Sequence, residues 1–227
     1  MVPSSPYNVV ITTDGNSPII ASGVQADCNN LTINADATLI INSGGSLINA
    51  GTITNNGTFN YQRSISNGQW HLISSPVAGA QSGMFTGDFL QNYDEPTHNW
   101  TEINSTIEAL SPAKGFGFWS DGSGSETHTF DGTPNTGNPN RGLTFTEYSS
   151  EPDAYEGANL LGNPYPSSID WSGLDDTYGA VYYLKSDGTY DNWINGIGTG
   201  DATQYIAPAQ GFFIVVEANG TFNLTNS

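Results

Sequence analysis

The sequence predicts an all-β protein: a short N-terminal β-solenoid-like segment followed by a duplicated antiparallel β-sandwich. Three observations carry this. No stretch holds a helical period long enough for a helix, while β-branched and aromatic residues dominate short runs. The first 63 residues repeat a strand-and-turn unit every six to eight residues. The remainder contains one longer unit written twice.

In the segment 1–63, apolar anchors fall at Leu31, Ile33, Leu39, Ile41, Leu47, Ile53 and Phe59, each strand followed by Asn or Gly. Those residues turn a chain tightly, so the pattern fits stacked coils with Leu and Ile inside and Thr and Asn outside, the alternative being the start of a two-sheet sandwich or a plain meander. A stack of coils has open ends, and the following unit is the expected cap. Cys28, the single cysteine, falls at an inward position beside Leu31 and Ile33 and reads as a small buried hydrophobe.

In the segment 64–227, copy one spans about 68–135, a linking strand about 141–150, and copy two about 156–227. Leu72-Ile73-Ser74-Ser75-Pro76 matches Leu160-Leu161-Gly162-Asn163-Pro164. Asn99-Trp100 matches Asn192-Trp193, and Leu110-Ser-Pro-Ala-Lys-Gly115-Phe116 matches Ile206-Ala-Pro-Ala-Gln-Gly211-Phe212. Thr129-Phe130 with Thr221-Phe222 closes each copy. Proline ends the first strand because it cannot donate to a ladder. Gly115 and Gly211 permit a bulge or a close backbone approach. Alternation in Phe116, Phe118 and in Phe212, Ile214, Val216 turns one face inward. One helical turn is expected at Ser167–Trp171.

Composition excludes several functions. Twenty-two acidic residues stand against four basic ones, Arg63, Lys114, Arg141 and Lys185, for a net charge of −18. Nucleic-acid binding needs Lys and Arg to displace counterions, so it is set aside. No apolar run is long enough to insert in a membrane as a helix. Five Trp, 11 Tyr and 10 Phe mean that much of the core is built from rings, which argues against disorder. The start lacks the basic and apolar regions of a signal peptide, and the chain stops just after a strand-like pattern. It is expected to be a mature piece of a longer protein.

The stretch Gly157-Ala-Asn-Leu-Leu-Gly-Asn-Pro-Tyr-Pro-Ser-Ser-Ile-Asp-Trp171, followed by Ile206-Ala-Pro-Ala-Gln-Gly-Phe-Phe213, resembles modules of large surface and secreted proteins of Bacteroidetes-type bacteria. Such modules lie upstream of the C-terminal sorting domain of the type IX secretion system. The resemblance covers about residues 69–227 and is looser in copy one. It implies export to the cell surface or medium and carries no assigned active site.

Catalytic signatures are absent: no Gly-x-Ser-x-Gly, His-Glu-x-x-His, P-loop or Cys-x-x-Cys. His71, His98 and His128 lack ligand-like spacing. The expectation is a non-catalytic structural or adhesive module of an exported surface protein. Its partner would be an extracellular glycan or protein, with homo-oligomer or filament contacts also open. The alternative is a carbohydrate-binding module, calcium-assisted, accessory to a polysaccharide-degrading enzyme. Exposed rings beside amides suit sugars, and the candidates are Trp100, Trp119, Tyr190, Asn192 and Trp193. The repeated Trp100 and Trp193 would equally serve as core. Calcium candidates are the acidic loops holding Asp121, Glu126 and Asp131, and Asp187 and Asp191, since hard cations take carboxylate oxygens. Solvated acidic turns are the plainer reading of each loop.

Overall fold

The computed structural model describes residues 7–13, 15–147 and 155–224. The first eight strands are β1 (Val9–Ile11), β2 (Ile19–Ile20), β3 (Gln25–Cys28), β4 (Leu31–Ile33), β5 (Thr38–Ile41), β6 (Ser46–Asn49), β7 (Ile53–Asn55) and β8 (Thr58–Ser66). Parallel pairing joins strands three apart: β1 with β4 and β4 with β7, β2 with β5 and β5 with β8, β3 with β6. Three strands per coil make a three-faced solenoid, in which Val9 lies beside Leu31 and Leu31 beside Ile53. The alternation read from sequence holds. Leu31, Ile33, Leu39, Ile41, Leu47 and Phe59 are buried, and Ile53 is half-buried against them. Cys28 is buried among the same side chains, and burial pushes its thiol pKa up. The polar corners are bonded between coils: Asn8 Oδ1 accepts from Asn30 Nδ2 at 2.9 Å, and Asn30 Oδ1 accepts from the Thr52 amide at 2.8 Å.

Copy one contributes β9 (Trp70–Ile73), β10 (Val77–Ala78), β11 (Phe89–Asp94), β12 (Asn99–Glu102), β13 (Phe116–Trp119), β14 (Ser125–Asp131) and β15 (Thr133–Pro134). Copy two contributes β16 (Asn140–Leu143), β17 (Ala158–Gly162), β18 (Ile169–Asp170), a one-turn helix α1 (Asp175–Tyr178), β19 (Val181–Leu184), β20 (Tyr190–Ile194), β21 (Ile197–Gly198), β22 (Tyr205–Ile206), β23 (Gly211–Val215) and β24 (Gly220–Asn223). The main sheets have orders β12-β11-β13-β9 and β17-β23-β19-β20-β21. Read from opposite ends, they are the same sheet with one strand added. The duplication is therefore a duplication of topology.

The repeat begins one strand earlier than the sequence suggests. β14 pairs antiparallel with β8, and its counterpart β24 pairs antiparallel with β16. The expected linking strand, found at Asn140–Leu143, thus opens copy two as β8 opens copy one; residues 148–150 of that expectation lie outside the described residues. β8 also runs straight through residues 63 and 64, so the last solenoid strand is a sandwich strand. β14 closes the solenoid sheet, and one apolar cluster runs from Ile20 through Phe59 and Phe118 to Phe130. The expected turn at Ser167–Trp171 lies further on: residues 169–170 are extended, and a 3-10 turn covers Trp171–Gly173, capped by Asp170 accepting from the Ser172 amide.

The Pro-Ala-x-Gly-Phe motif builds the seam between the copies. Ala113 and Ala209 both take left-handed backbone, φ 59° and 58°. Their carbonyls then accept from the opposite copy: Gly162 N–H donates to Ala113 O at 3.1 Å and Ser74 N–H to Ala209 O at 2.9 Å. The bridges Ile73–Gln210 and Lys114–Leu161 are likewise reciprocal. Leu72 and its counterpart Leu160 pack together across the seam with Phe213 and Tyr93. The half-buried Arg63 guanidinium donates to Ala209 O as well, and desolvation there lowers its pKa to about 10.

Two buried tyrosines give the fold an alkaline limit. Tyr61 and Tyr165 are 2% and 7% exposed, and burial pushes both pKa values up to about 12. An unfolded tyrosine ionises near pH ~10, so between about pH 10 and 12 the unfolded chain binds fewer protons than the folded one. Stability held below pH ~10 is therefore lost as pH rises toward about 12, on the order of 2 kcal/mol per ring. Thermal melts at pH 9 and pH 11, chosen about one unit either side of that onset, should show the drop; Tyr61→Phe should roughly halve it.

Candidate functional site

The seam opens on one side into a cleft of about 300 Å³. Copy one lines it with Tyr93 and Trp100, and copy two with Tyr182, Tyr190, Phe213, Val215 and the buried Ala158 at its floor; the well-exposed Tyr155 stands at the rim. Phe213 is the hub. Tyr93, Tyr190 and Trp100 approach it nearly edge-on, with ring centroids at 5.1, 5.9 and 6.2 Å. Trp100 also tilts against Tyr93 at 5.1 Å. Gly117 makes room for it: a Cβ there would come within 2.7 Å of the indole. Trp100 and Tyr190 are 39% and 43% exposed, so each offers a ring surface to a ligand while its body is held. Burial, with the neighbouring Tyr155 phenol, raises the Tyr190 pKa, so its hydroxyl stays a neutral donor at physiological pH.

The register corrects the expected pairing of tryptophans. Leu90 lies opposite Phe118 and Val181 opposite Ile214, and Phe118 and Ile214 are counterparts in the shared motif. Tyr93 and Leu184 are then counterparts. Trp100 pairs with the first and Tyr190 with the second, so Trp100 corresponds to Tyr190. Trp193, opposite Val181, corresponds to Ile103, whose amide bonds Leu90 O. The Asn-Trp match was three residues out of register. An odd slip moves a side chain to the other face of a sheet. Trp193 is accordingly 5% exposed, in the second core with Trp171, Phe212 and Phe222.

Of the other ring candidates, Trp119 sits apart from the cleft, tilted against Trp70 at 5.6 Å, its indole N–H donating to Asp121 at 2.9 Å. Asn192 faces Tyr182 across the ladder and does not line the cleft. Sequence reasoning missed Tyr93, Tyr155, Tyr182 and Phe213. The signal for Phe213 was present: in Phe212-Phe213 both faces of one strand carry a ring, which means both faces are covered.

Copy one explains why the cleft is open. The counterparts of Ala158 and Val215 are Trp70 and Trp119, paired in the same register. Two small side chains in copy two thus leave a space where copy one carries two indoles.

The calcium candidates are not assembled as expected. Alternation along β14 puts Glu126 and Asp131 on opposite faces, and Asp121 is engaged by Trp119. At Asp187 and Asp191 a cation is supplied by the chain: Lys185 Nζ lies 3.8 and 3.7 Å from the two carboxylates. Hydrogen bonds from the Thr189 hydroxyl and amide hold the Asp187 pKa below the usual carboxylate range. Glu126 instead stands with Asp88 and His128. A second recess, about 170 Å³, lies beside Glu95 and Arg141. Its buried acid is committed, Glu95 accepting from the Thr146 amide and hydroxyl and the Gly157 amide, which pins copy two's first strands to copy one.

Fold and cleft together define an internally duplicated all-β module with an aromatic recess at the join of its copies. Residues 32–177, from β4 to α1, match the family described as a domain of unknown function (DUF8693), and the chain belongs to that family. No curated protein and no solved structure matches the chain.

Proposed function

We propose that the chain is a non-catalytic adhesive module of a larger exported bacterial surface protein, and that it adheres through the seam cleft to neutral carbohydrate. The observation that carries this is the placing of counterpart rings, Trp100 and Tyr190, half-exposed around Phe213. Sugars present apolar C–H faces to such rings and hydroxyls to a polar rim. Here four phenols line the cleft and supply the polar groups: Tyr93, Tyr155, Tyr182 and Tyr190. Among the described residues the cleft lining offers no carboxylate, imidazole or thiol for acid–base or nucleophilic work, and its rings and phenols favour binding. A net charge of −18 repels acidic glycans and leaves neutral ones as the favoured class. Export rests on the resemblance of the Asn-Pro-Tyr-Pro-Ser and Pro-x-Gln-Gly-Phe-Phe stretches to surface modules. The solenoid suits a spacer that holds the cleft away from a neighbouring part of the chain.

Affinity electrophoresis through gels containing soluble β-glucan, xylan or mannan tests the reading. Retardation in at least one gel, unchanged by EDTA, is expected. Migration unchanged in all of them would refute carbohydrate as the ligand.

A further inference from the structure

The three side chains Asp88, Glu126 and His128 meet at the edge of the copy-one core. One ligand atom from each lies within 4.8 Å of the others, and His128 Nε2 is 4.0 Å from Asp88 Oδ2. Glu126 and His128 project from the same face of β14 two residues apart, and Asp88 lies in the turn leading into β11, its amide bonded to Phe85 O. The site therefore joins two layers of the sandwich.

His128 is the informative member. It is 8% exposed, and its imidazole is held between the Phe85 and Phe118 rings at 5.0 and 5.1 Å. Nε2 is buried and has no hydrogen-bond partner among the described residues. A buried nitrogen without a partner is costly, and natural folds leave few of them. It points toward two carboxylates, one nearly buried and one, Glu126, at the solvent edge where an ion can enter. Asn67 donates to Glu126 Oε1 at 3.3 Å, which orients that carboxylate from behind.

The second copy shows that the fold itself does not call for these groups. With Leu90 matched to Val181 and Phe130 to Phe222, the counterparts of Asp88, Glu126 and His128 are Gly179, Ala218 and Gly220. All three positions carry a ligand-type side chain in one copy and none in the other.

We propose that Asp88, Glu126 and His128 bind a divalent first-row transition ion of the Zn²⁺ type. One imidazole nitrogen and two carboxylate oxygens suit that ion, with a remaining position for water. Calcium is disfavoured because it takes six or more oxygens. Bonds of about 2.1 Å require the three ligand atoms to draw together by roughly an ångström. Glu126, exposed, has the freedom to do so. The ion would clamp β14, and with it the solenoid cap, to the strand that carries the cleft residue Tyr93.

The test is titration of the EDTA-stripped, dialysed chain with Zn²⁺ by calorimetry, with Co²⁺ as a spectroscopic probe and melting curves alongside. One saturable site is expected, with Co²⁺ absorption of a low-symmetry N/O site and a melting temperature raised by about five degrees at excess Zn²⁺. Glu126→Gln and Asp88→Asn should each weaken binding about tenfold or more. Glu126→Gln, at the exposed edge, should leave the metal-free melting temperature unchanged. The proposal is overturned by the absence of a saturable site. It is equally overturned by saturable binding that both variants retain, which would place the ion elsewhere on the acidic surface, or by an equal shift with millimolar Ca²⁺.

Discussion

Gly115→Ala should cost the fold at least about 3 kcal/mol, at or beyond the upper end of ordinary overpacking. On general grounds the opposite is expected, because replacing a glycine at the entry to a strand restricts the unfolded chain. The seam reverses the sign. A Cβ at Gly115 would lie 2.3 Å from the Leu161 carbonyl oxygen and 2.7 Å from Leu160 Cγ. The nearest obstacle is backbone, held by the reciprocal bonds of Gly162 to Ala113 and Ser74 to Ala209, so it cannot swing aside. Gly211→Ala should follow in the same direction with a smaller effect, its Cβ meeting Ile73 backbone at 2.9 Å. Gly142→Ala is the control: nothing lies within 4 Å, and it should be neutral or slightly stabilising. Urea unfolding of the three variants decides the matter. If Gly115→Ala is as stable as Gly142→Ala, the copies do not meet as described.

Trp100→Ala should weaken carbohydrate binding by at least about thirtyfold while leaving the fold intact, the scale of losing a central aromatic anchor. Tyr190→Ala should cost about tenfold, in line with a smaller ring at the counterpart position. Trp193→Ala makes the contrast. The sequence places Trp193 beside the same kind of asparagine, but its ring is in the core, so its removal should cost about 3–5 kcal/mol of stability. Fluorescence titration with the retained polysaccharide, paired with melting curves, separates the two outcomes. Equal binding by wild type and Trp100→Ala would remove the cleft from the account.

The contrast between Trp100 and Trp193 also marks what could be read from sequence. The solenoid was legible because its inward side chains recur at a fixed spacing and its corners are Asn and Gly, a pattern that local chemistry imposes. The motifs Leu-x-x-x-Pro and Pro-Ala-x-Gly-Phe were legible as a repeat because each is fixed by the seam itself. Trp100 and Trp193 were misaligned because hairpin loops change length without disturbing the sheet, and a visible Asn-Trp pair outweighed an invisible register. The cleft was half legible: Trp100 and Tyr190 were candidates, but Tyr93, Tyr182 and Phe213 come from separate strands that only pairing brings together. The same holds for Asp88, which lies 38 residues before Glu126 in the chain and next to it in space.

The floor of the cleft offers the most direct test. Ala158→Trp installs the side chain that copy one carries at the corresponding position, Trp70, on the same sheet face. It should fill the recess and keep the fold. In affinity electrophoresis against neutral polysaccharide, wild type should be retarded and Ala158→Trp should migrate freely, with both melting at similar temperatures. Equal retardation of the two proteins, or of neither in any neutral polysaccharide, would contradict a carbohydrate site at the seam.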